Sequence, residues 1–326
     1  MKKKNIFIIE TGGTISVKTN NPLSEYYGSP DVPILEFIAE LNIENININY
    51  KAFPHKISHE LTINEVQDLA ELITTILRSD TDGVIVSMGT NAIEDIAYYV
   101  GLLVDTQKPI VFTGSHFPQG SLFFDGKLNI YNSIILASSD DAEGVGVLLT
   151  FNGSVVSARE ACKTSPGLMD SFDLLQTGRV GEIIGGRYKP RVIPLYRHTY
   201  KSEFHIRKNI KHTRVCIIYA HLGMDVSTIY SIINSGVKGI ISAGFGKGYQ
   251  CKEVTELLHK AILQGMTVVR CPRIGGCYIN SDSNYDKKYG FITSNGLSPQ
   301  KSSILLSTAL AHTEKNDDLI RIFEEY

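Results

Sequence analysis

The sequence predicts an α/β protein with a larger N-terminal domain, in which a mostly parallel sheet lies between helices, and a smaller C-terminal α/β domain. Three observations lead to this prediction. Short apolar runs recur along the chain without alternation, which is typical of strands buried on both faces. Segments with helical periodicity separate these runs. The chain has 326 residues, more than a single hydrophobic core usually organises.

The apolar runs of the N-terminal half are predicted to be the buried strands of its sheet. They are residues 6–9, 83–88, 109–114 and 145–151. Before the second run, Thr62 and Glu65 have the spacing of a capping box, which satisfies free N–H groups at a helix start. Apolar residues at helical spacing follow this box, and a second such series follows Asn91, so both segments are predicted helices.

The same alternation resumes in the C-terminal half. Residues 215–219, 239–243 and 266–270 are predicted strands, and residues 301–311 a helix. A polar, basic stretch without a clear period precedes them. We therefore predict a catalytic N-terminal domain over residues 1–190, a linker over 191–213 and a C-terminal domain over 214–326.

The composition excludes several classes of protein. Apolar residues make up 43%, charged residues 20%, and the net charge is −2, which describes a globular protein without a basic field for nucleic acid. Five cysteines without CxxC spacing predict a reduced compartment, the cytoplasm. The run 6–9 is too short for a secretory signal, and no run reaches the ~20 residues that span a bilayer. The expected partner is a small molecule, with no metal, organic cofactor, nucleic acid or membrane.

The first predicted strand ends in a turn that could carry chemistry, Thr11-Gly12-Gly13-Thr14. Glycines let a substrate approach the backbone closely, and the Thr14 hydroxyl could attack it if a proton acceptor and oxyanion donors lay nearby. The alternative is that the glycines only make a tight turn and that Thr14 caps a helix. Taken alone, this stretch favours the alternative.

One further loop strengthens the catalytic interpretation, whereas a lone lysine in another is more often a surface cation. The loop 87–91 follows a predicted strand and offers the hydroxyl of Thr90 and the free N–H groups of a helix start. Lys163 follows another strand, and it is either a buried lysine with a lowered pKa or a solvated surface cation. A nucleotide site fits poorly, because Gly12-Gly13 forms neither a GxGxxG nor a Walker motif.

Together these segments resemble the bacterial-type L-asparaginase family along the whole chain. The matching stretches are Thr11-Gly12-Gly13-Thr14-Ile15, Gly89-Thr90, Asp125-Gly126 with Asn129, Arg159 with Lys163-Thr164, Ser242-Ala243-Gly244, and Lys288-Tyr289-Gly290-Phe291. Several motifs in the same order are far more specific than any one of them. The resemblance therefore favours catalytic roles for Thr14 and Lys163.

The resemblance implies an amidohydrolase that acts by threonine chemistry. Thr14 would attack the carboxamide, with Tyr27 on a mobile flap as its hydrogen-bond partner. Thr90 and Lys163 would handle protons. The substrate-binding residues implied are Ser58, which would hold the α-carboxylate, and His59, Gly89, Asn91 and Ser115. A homotetramer built from dimers is also implied, with the site near a subunit interface.

The chain departs from the family where the substrate's α-ammonium would bind. Met88-Gly89-Thr90-Asn91 replaces His-Gly-Thr-Asp, so a neutral amide stands in place of a carboxylate. Ser283 and Tyr249 stand where the family has a glutamate lent by the neighbouring subunit and an asparagine. Near the amide pocket, Ser115-His116-Phe117-Pro118 replaces Ala-Met-Arg-Pro, and His59 replaces a polar partner of the carboxylate-binding serine.

These departures leave three functions open. The preferred one is hydrolysis of an asparagine derivative without a free α-ammonium, for example an N-acylated one. A carboxylate left unpaired against such a ligand would cost several kcal/mol, which makes its replacement by a neutral group reasonable. The others are an ordinary L-asparaginase of low activity and a catalytically silent ligand-binding protein.

Overall fold

The computed structural model describes residues 3–23, 32–41, 43–165, 172–174, 178–205, 212–275 and 277–326. Tertiary contacts divide the chain into two compact units, Met1–Ile206 and Arg207–Tyr326. Both units are mixed α/β and the first is the larger, so the predicted fold class is confirmed. None of the helices in the described ranges has the length and apolar character to cross a bilayer.

The first unit contains ten strands and four α-helices within the described residues. The strands are β1 Lys4–Glu10, β2 Ile46–Ala52, β3 Gly83–Ser87, β4 Ile110–Thr113, β5 Val147–Phe151, β6 Ser154–Ser157, β7 Ala161–Lys163, β8 Phe172–Leu174, β9 Gly181–Ile184 and β10 Arg187–Pro190. The helices are α1 Leu35–Ile38, α2 Ile63–Leu77, α3 Ile93–Leu103 and α4 Gly126–Ala137.

Eight of these strands form one sheet in the order β10-β9-β6-β5-β4-β3-β1-β2. The five strands from β2 to β5 pair in parallel, whereas β5, β6, β9 and β10 pair antiparallel. β7 and β8 form a separate antiparallel hairpin. A mostly parallel sheet collects its strand-end loops at one edge, which is where α/β proteins bind ligands.

The core of the first unit follows from the apolar runs of the sequence. Ile8, Ile85, Val111 and Leu148 are paired in register across four neighbouring strands, and all four are fully buried. The predicted capping box at Thr62 and Glu65 is confirmed at the start of α2, with both reciprocal hydrogen bonds present. The central strands and the two best-patterned helices therefore lie where the sequence placed them.

Sequence reasoning missed the edges of this sheet. β2 alternates partly buried and exposed residues and lies at an open edge, so it has no continuous apolar run. β9 and β10 are four-residue strands with one buried residue each, so neither forms an apolar run. Residues 191–205 belong to the first unit, where Ser202 Oγ donates to the carbonyl of Leu102 at 2.6 Å and Phe204 is fully buried.

The second unit has a four-stranded parallel sheet in the order β11-β12-β13-β14. Its strands are β11 Val215–Tyr219, β12 Gly239–Gly244, β13 Thr267–Pro272 and β14 Ile292–Thr293. Its helices are α5 Val226–Asn234, α6 Lys252–Leu263, α7 Asp286–Tyr289, α8 Pro299–Leu310 and α9 Asn316–Glu325. The three predicted strands and the predicted helix are confirmed with shifts of one or two residues at their ends.

Candidate active site

The strand order places the loop after β1 beside the loop after β3. From this pair the chain proceeds outward to β2 on one side and through β4 to β5 on the other. Such a reversal of direction opens a crevice at the carboxyl ends of the two central strands. The turn Thr11-Gly12-Gly13-Thr14 and the loop Met88-Gly89-Thr90-Asn91 flank this crevice, and Thr11 N donates to the carbonyl of Ser87 at 2.9 Å.

Glycines allow the two loops to touch backbone to backbone. Gly12 and Gly13 have φ angles of 100° and 90°, a region that other residues rarely adopt. A Cβ atom on Gly13 would lie 2.3 Å from the backbone N of Gly89 and 2.4 Å from its Cα. Both the conformation and the space therefore require glycine at residue 13.

Thr14 begins a one-turn 3-10 helix, Thr14–Ser16, whose N-cap position is held by Gly13. No side chain caps this turn, so the capping role considered for Thr14 is not what the structure has. Thr14 is 6% exposed, and none of the described residues hydrogen-bonds to its Oγ1 atom. Its hydroxyl is thus held near the crevice without an internal partner in this part of the chain.

Lys163 reaches the second loop from the end of β7. Its Nζ lies 2.7 Å from Thr90 Oγ1 and 3.3 Å from Asn91 Oδ1, and it donates to both oxygens. Thr90 is buried and Lys163 is half-buried. A hydroxyl and an amine at this distance can exchange a proton when the amine is neutral.

The surroundings of Lys163 shift the pKa of its amine. Burial lowers the pKa of Lys163, and the opposing effect of the Glu94 carboxylate is smaller. Glu94 Oε2 accepts a hydrogen bond from the backbone N–H of Lys163 at 2.5 Å. This hydrogen bond lets Glu94 fix the end of β7. Sequence reasoning did not identify Glu94 as an acidic neighbour of Lys163.

Ser58 and His59 contact the second loop and the start of the segment that follows it. Ser58 is fully buried in the short helix Ser58–Glu60, and its Oγ accepts from the backbone N–H of Ala92 at 3.2 Å. A Cβ atom on Gly89 would lie 3.1 Å from Ser58 Oγ, so glycine keeps this approach open. Asn91 Nδ2 lies 3.3 Å from His59 Nδ1, which leaves the Asn91 amide between a lysine and a histidine.

Ser115 follows Gly114, on which a Cβ atom would lie 3.3 Å from Thr90 Cγ2, but the Ser115 hydroxyl is engaged elsewhere. Ser115 Oγ donates to the Phe117 carbonyl and is 2.9 Å from Asp125 Oδ1. Asp125 also accepts from the backbone N–H groups of His116 and Phe117. These hydrogen bonds and the one from the His116 ring lower the pKa of Asp125, although its burial acts in the opposite direction and is the largest single influence. The Ser115 side chain thus braces its own loop.

Three residues named from the sequence remain to be placed. Tyr27 falls outside the described residues. Tyr249 and Ser283 belong to the second unit, where Tyr249 OH donates to Asp282 Oδ2 at 3.1 Å. Ser283 is exposed and directly follows that carboxylate.

The described residues contain no cluster of three or more His, Cys, Asp and Glu side chains arranged to hold a metal ion. The polar groups of the site are the hydroxyls of Thr14, Thr90 and Ser58, the Lys163 amine of lowered pKa, the Asn91 amide and the His59 imidazole. Glu94 lies on the first turn of a predicted helix, but nothing in the sequence links it to the backbone of residue 163.

Comparisons with known proteins identify the family of the chain. The family profile described as "Asparaginase, N-terminal" matches residues 5–192, and the one described as "Glutaminase/Asparaginase C-terminal domain" matches residues 214–323. The "Probable L-asparaginase periplasmic" of Haemophilus influenzae is 33% identical, with 99% of this chain and 93% of that protein covered. The "Glutaminase-asparaginase" of Pseudomonas aeruginosa is 30% identical, with 100% and 91% covered.

Among solved structures, the "Probable Cytoplasmic L-asparaginase" from Campylobacter jejuni superimposes with a TM-score of 0.90 at 28% sequence identity. The match covers 99% of this chain and 100% of that one. The family profiles match both units, and the relatives and the solved structure share the sequence and the fold over nearly the whole chain. The chain therefore belongs to the asparaginase family of amidohydrolases.

Proposed function

We propose that this protein hydrolyses a side-chain carboxamide and releases ammonia, with Thr14 as the nucleophile. The observation that carries the proposal is the contact of Lys163 Nζ with Thr90 Oγ1 at 2.7 Å, on a loop whose Gly89 backs directly onto Gly13. An amine of lowered pKa and a hydroxyl without a partner among the described residues thereby occur at one crevice.

The proposed reaction has two halves. Thr14 Oγ1 attacks the carboxamide carbon, and its proton passes to neutral Lys163 through Thr90 or a water molecule. The C–N bond then breaks, and the departing nitrogen takes a proton from Lys163 and leaves as ammonia. Water cleaves the resulting Thr14 ester, which yields the carboxylic acid and restores the hydroxyl.

The preferred substrate is an asparagine derivative that lacks a free α-ammonium, such as an N-acylated asparagine. Ser58 would bind its α-carboxylate, because Ser58 Oγ accepts from Ala92 N–H and donates to none of the described residues. Asn91 is neutral, and its amide contacts Lys163 on one side and His59 on the other. A neutral polar wall suits an amide nitrogen, whereas an ammonium group favours a carboxylate.

A second candidate is ordinary L-asparaginase activity of low rate. It is supported by the relatives, which carry the names L-asparaginase and glutaminase-asparaginase. A silent ligand-binding protein is the third candidate, and it would bind an amide without releasing ammonia.

Ammonia release separates these candidates. Turnover is measured on asparagine, glutamine and N-acetyl-asparagine at matched concentrations, for the wild type and for Asn91→Asp. We expect the wild type to act fastest on N-acetyl-asparagine and Asn91→Asp to shift the preference toward free asparagine. Fastest turnover of free asparagine by the wild type would support the second candidate, and ligand-dependent thermal stabilisation without turnover would support the third.

Two broader predictions accompany this function. We propose that the protein works in the cytoplasm, which is consistent with its five free cysteines and with the described location of the Campylobacter jejuni protein, although one relative is named as periplasmic. We also propose a homotetramer with the site near a subunit interface. Analytical ultracentrifugation tests the assembly, and a monomer with full activity would contradict it.

A further inference from the structure

Glu10 is a buried acid directly before the catalytic turn. It is the last residue of β1, its side chain is fully buried, and Thr11-Gly12-Gly13-Thr14 follows it in the chain. No cation pairs with Glu10 within the described ranges. Its two oxygens instead accept hydrogen bonds from neutral donors, and a buried carboxyl group without such bonds would be strongly disfavoured.

Three donors converge on this carboxylate from three segments. Ser16 Oγ donates to Oε1, Tyr50 OH donates to Oε2, and the backbone N–H of Ile34 donates to Oε2 at 3.3 Å. Burial, together with the Glu10 carboxylate, raises the pKa of Tyr50, so this hydroxyl keeps its proton and remains a donor. The carboxylate thus joins the turn after β1 to β2 and to the start of α1.

Ser16 connects Glu10 to Thr14. Both hydroxyl residues belong to the single helical turn Thr14–Ser16, in which Ser16 N donates to the Gly13 carbonyl at 2.9 Å and Val17 N to the Thr14 carbonyl at 3.1 Å. The carbonyl of Ser16 in turn accepts from Val32 N–H at 3.0 Å. Ser16 therefore fixes the short turn through its side chain, which bonds to Glu10, and through its backbone, which bonds to Val32.

We propose that Glu10 is a positioning residue for Thr14, acting through Ser16, which fixes the turn that presents the Thr14 hydroxyl to the substrate. This inference rests on the proposed role of Thr14. A two-glycine turn has more conformational freedom than other sequences, so a buried anchor directly behind it restricts where the hydroxyl can lie. Catalytic geometry depends on supporting side chains of this kind.

The test compares three variants on the amide that the wild type turns over best. Glu10→Gln keeps the size of the side chain but removes one acceptor, and Ser16→Ala removes the donor on the Thr14 side. Tyr50→Phe is the matched control, because it removes a donor to the same carboxylate on the β2 side and leaves the link to Ser16 intact.

We expect Glu10→Gln and Ser16→Ala to lower kcat about 10- to 100-fold with little change in KM, as for a misplaced reacting group. The double variant should be no worse than Glu10→Gln alone, because the two changes interrupt the same connection. Tyr50→Phe should keep kcat close to the wild type, even where its melting temperature falls as far as that of Glu10→Gln. Equal losses of kcat in Tyr50→Phe and Glu10→Gln, or additive losses in the double variant, would overturn the proposal.

Hydrogen exchange gives a readout that does not depend on turnover. The amides of Ser16 and Val17 should exchange faster in Glu10→Gln than in Tyr50→Phe. If the wild type hydrolyses no amide, the proposed function fails while this comparison still decides whether Glu10 orders the turn. Equal exchange at both amides in the two variants would reject the positioning role.

Discussion

Two threonines flank the same crevice, and their hydroxyls have different surroundings. Thr90 Oγ1 accepts from Lys163 Nζ at 2.7 Å, whereas Thr14 Oγ1 has no hydrogen-bond partner among the described residues. A hydroxyl bound to an amine is suited to pass protons, and an unengaged one is suited to attack a carbonyl carbon. The contrast supports the proposed division of roles between the loops after β1 and β3.

The two loops also differ in what holds them. Behind Thr14 lies the carboxylate of Glu10 with its neutral donors, and behind Thr90 lies the end of β7, which Glu94 binds through the backbone N–H of Lys163. Each functional side chain thus has its own acidic support. The first carboxylate is fully buried and pairs with no described cation. The second, Glu94, raises the pKa of Lys163, so only the second would act directly on the proposed proton transfer.

Removing each hydroxyl in turn gives the largest expected effect. Thr14→Ala should lower kcat by about 10⁴-fold or more, because the attacking atom is lost. Thr90→Ala should cost about 10²- to 10³-fold, since a water molecule can replace a proton carrier. Steady-state ammonia release measures both. A larger loss in Thr90→Ala, with an acyl group found on Thr90 by mass spectrometry, would reverse the assignment.

Replacing the amine tests whether its proton or its charge matters. Lys163→Arg can still donate to Thr90 Oγ1 but stays protonated at any working pH, so kcat should fall about 10²- to 10⁴-fold. Lys163→Met is the comparison variant, because it removes both the charge and the proton. If Lys163→Arg keeps most of the activity while Lys163→Met loses it, the lysine acts by its charge and the proton role assigned to it is wrong.

How far the sequence alone could predict this site depends on the kind of residue. Gly13 and Thr90 belong to short motifs at the ends of β1 and β3, and the parallel order of these strands brings their ends together. Lys163 ends β7 in a separate antiparallel hairpin, so only the family resemblance linked it to this site in advance. Glu10 and Glu94 escaped notice because their roles consist of tertiary hydrogen bonds to Ser16, Tyr50 and the backbone of residue 163. The edge strand β2 escaped because it is buried on one face only. Apolar periodicity reports burial, and it does not report which polar groups meet.

The glycines at the loop contact offer a stability comparison. Gly13→Ala should lower the free energy of unfolding by about 2–4 kcal/mol, because the new Cβ meets the Gly89 backbone and φ is +90°. Gly89→Ala should cost less, since its Cβ would approach a side-chain atom, Ser58 Oγ, at 3.1 Å. Urea unfolding with matched m-values measures both. Equal costs would mean that the loops separate more easily than their contact suggests.

Asn91 gives the smallest and most specific expected effect, a change in pH dependence. The proposed base is neutral Lys163, whose pKa burial lowers, so kcat should rise with pH as this amine loses its proton. Asn91→Asp places an anion where Oδ1 now lies 3.3 Å from Nζ, which raises the pKa of Lys163 and moves the acidic limb of the profile upward by about one pH unit. His59→Gln is the control, because it changes the other side of the Asn91 amide without adding charge. If the acidic limb of the kcat profile does not shift in Asn91→Asp, the pH dependence of kcat comes from a group other than Lys163. The proposed division of roles between the two threonines would then lose its chemical basis.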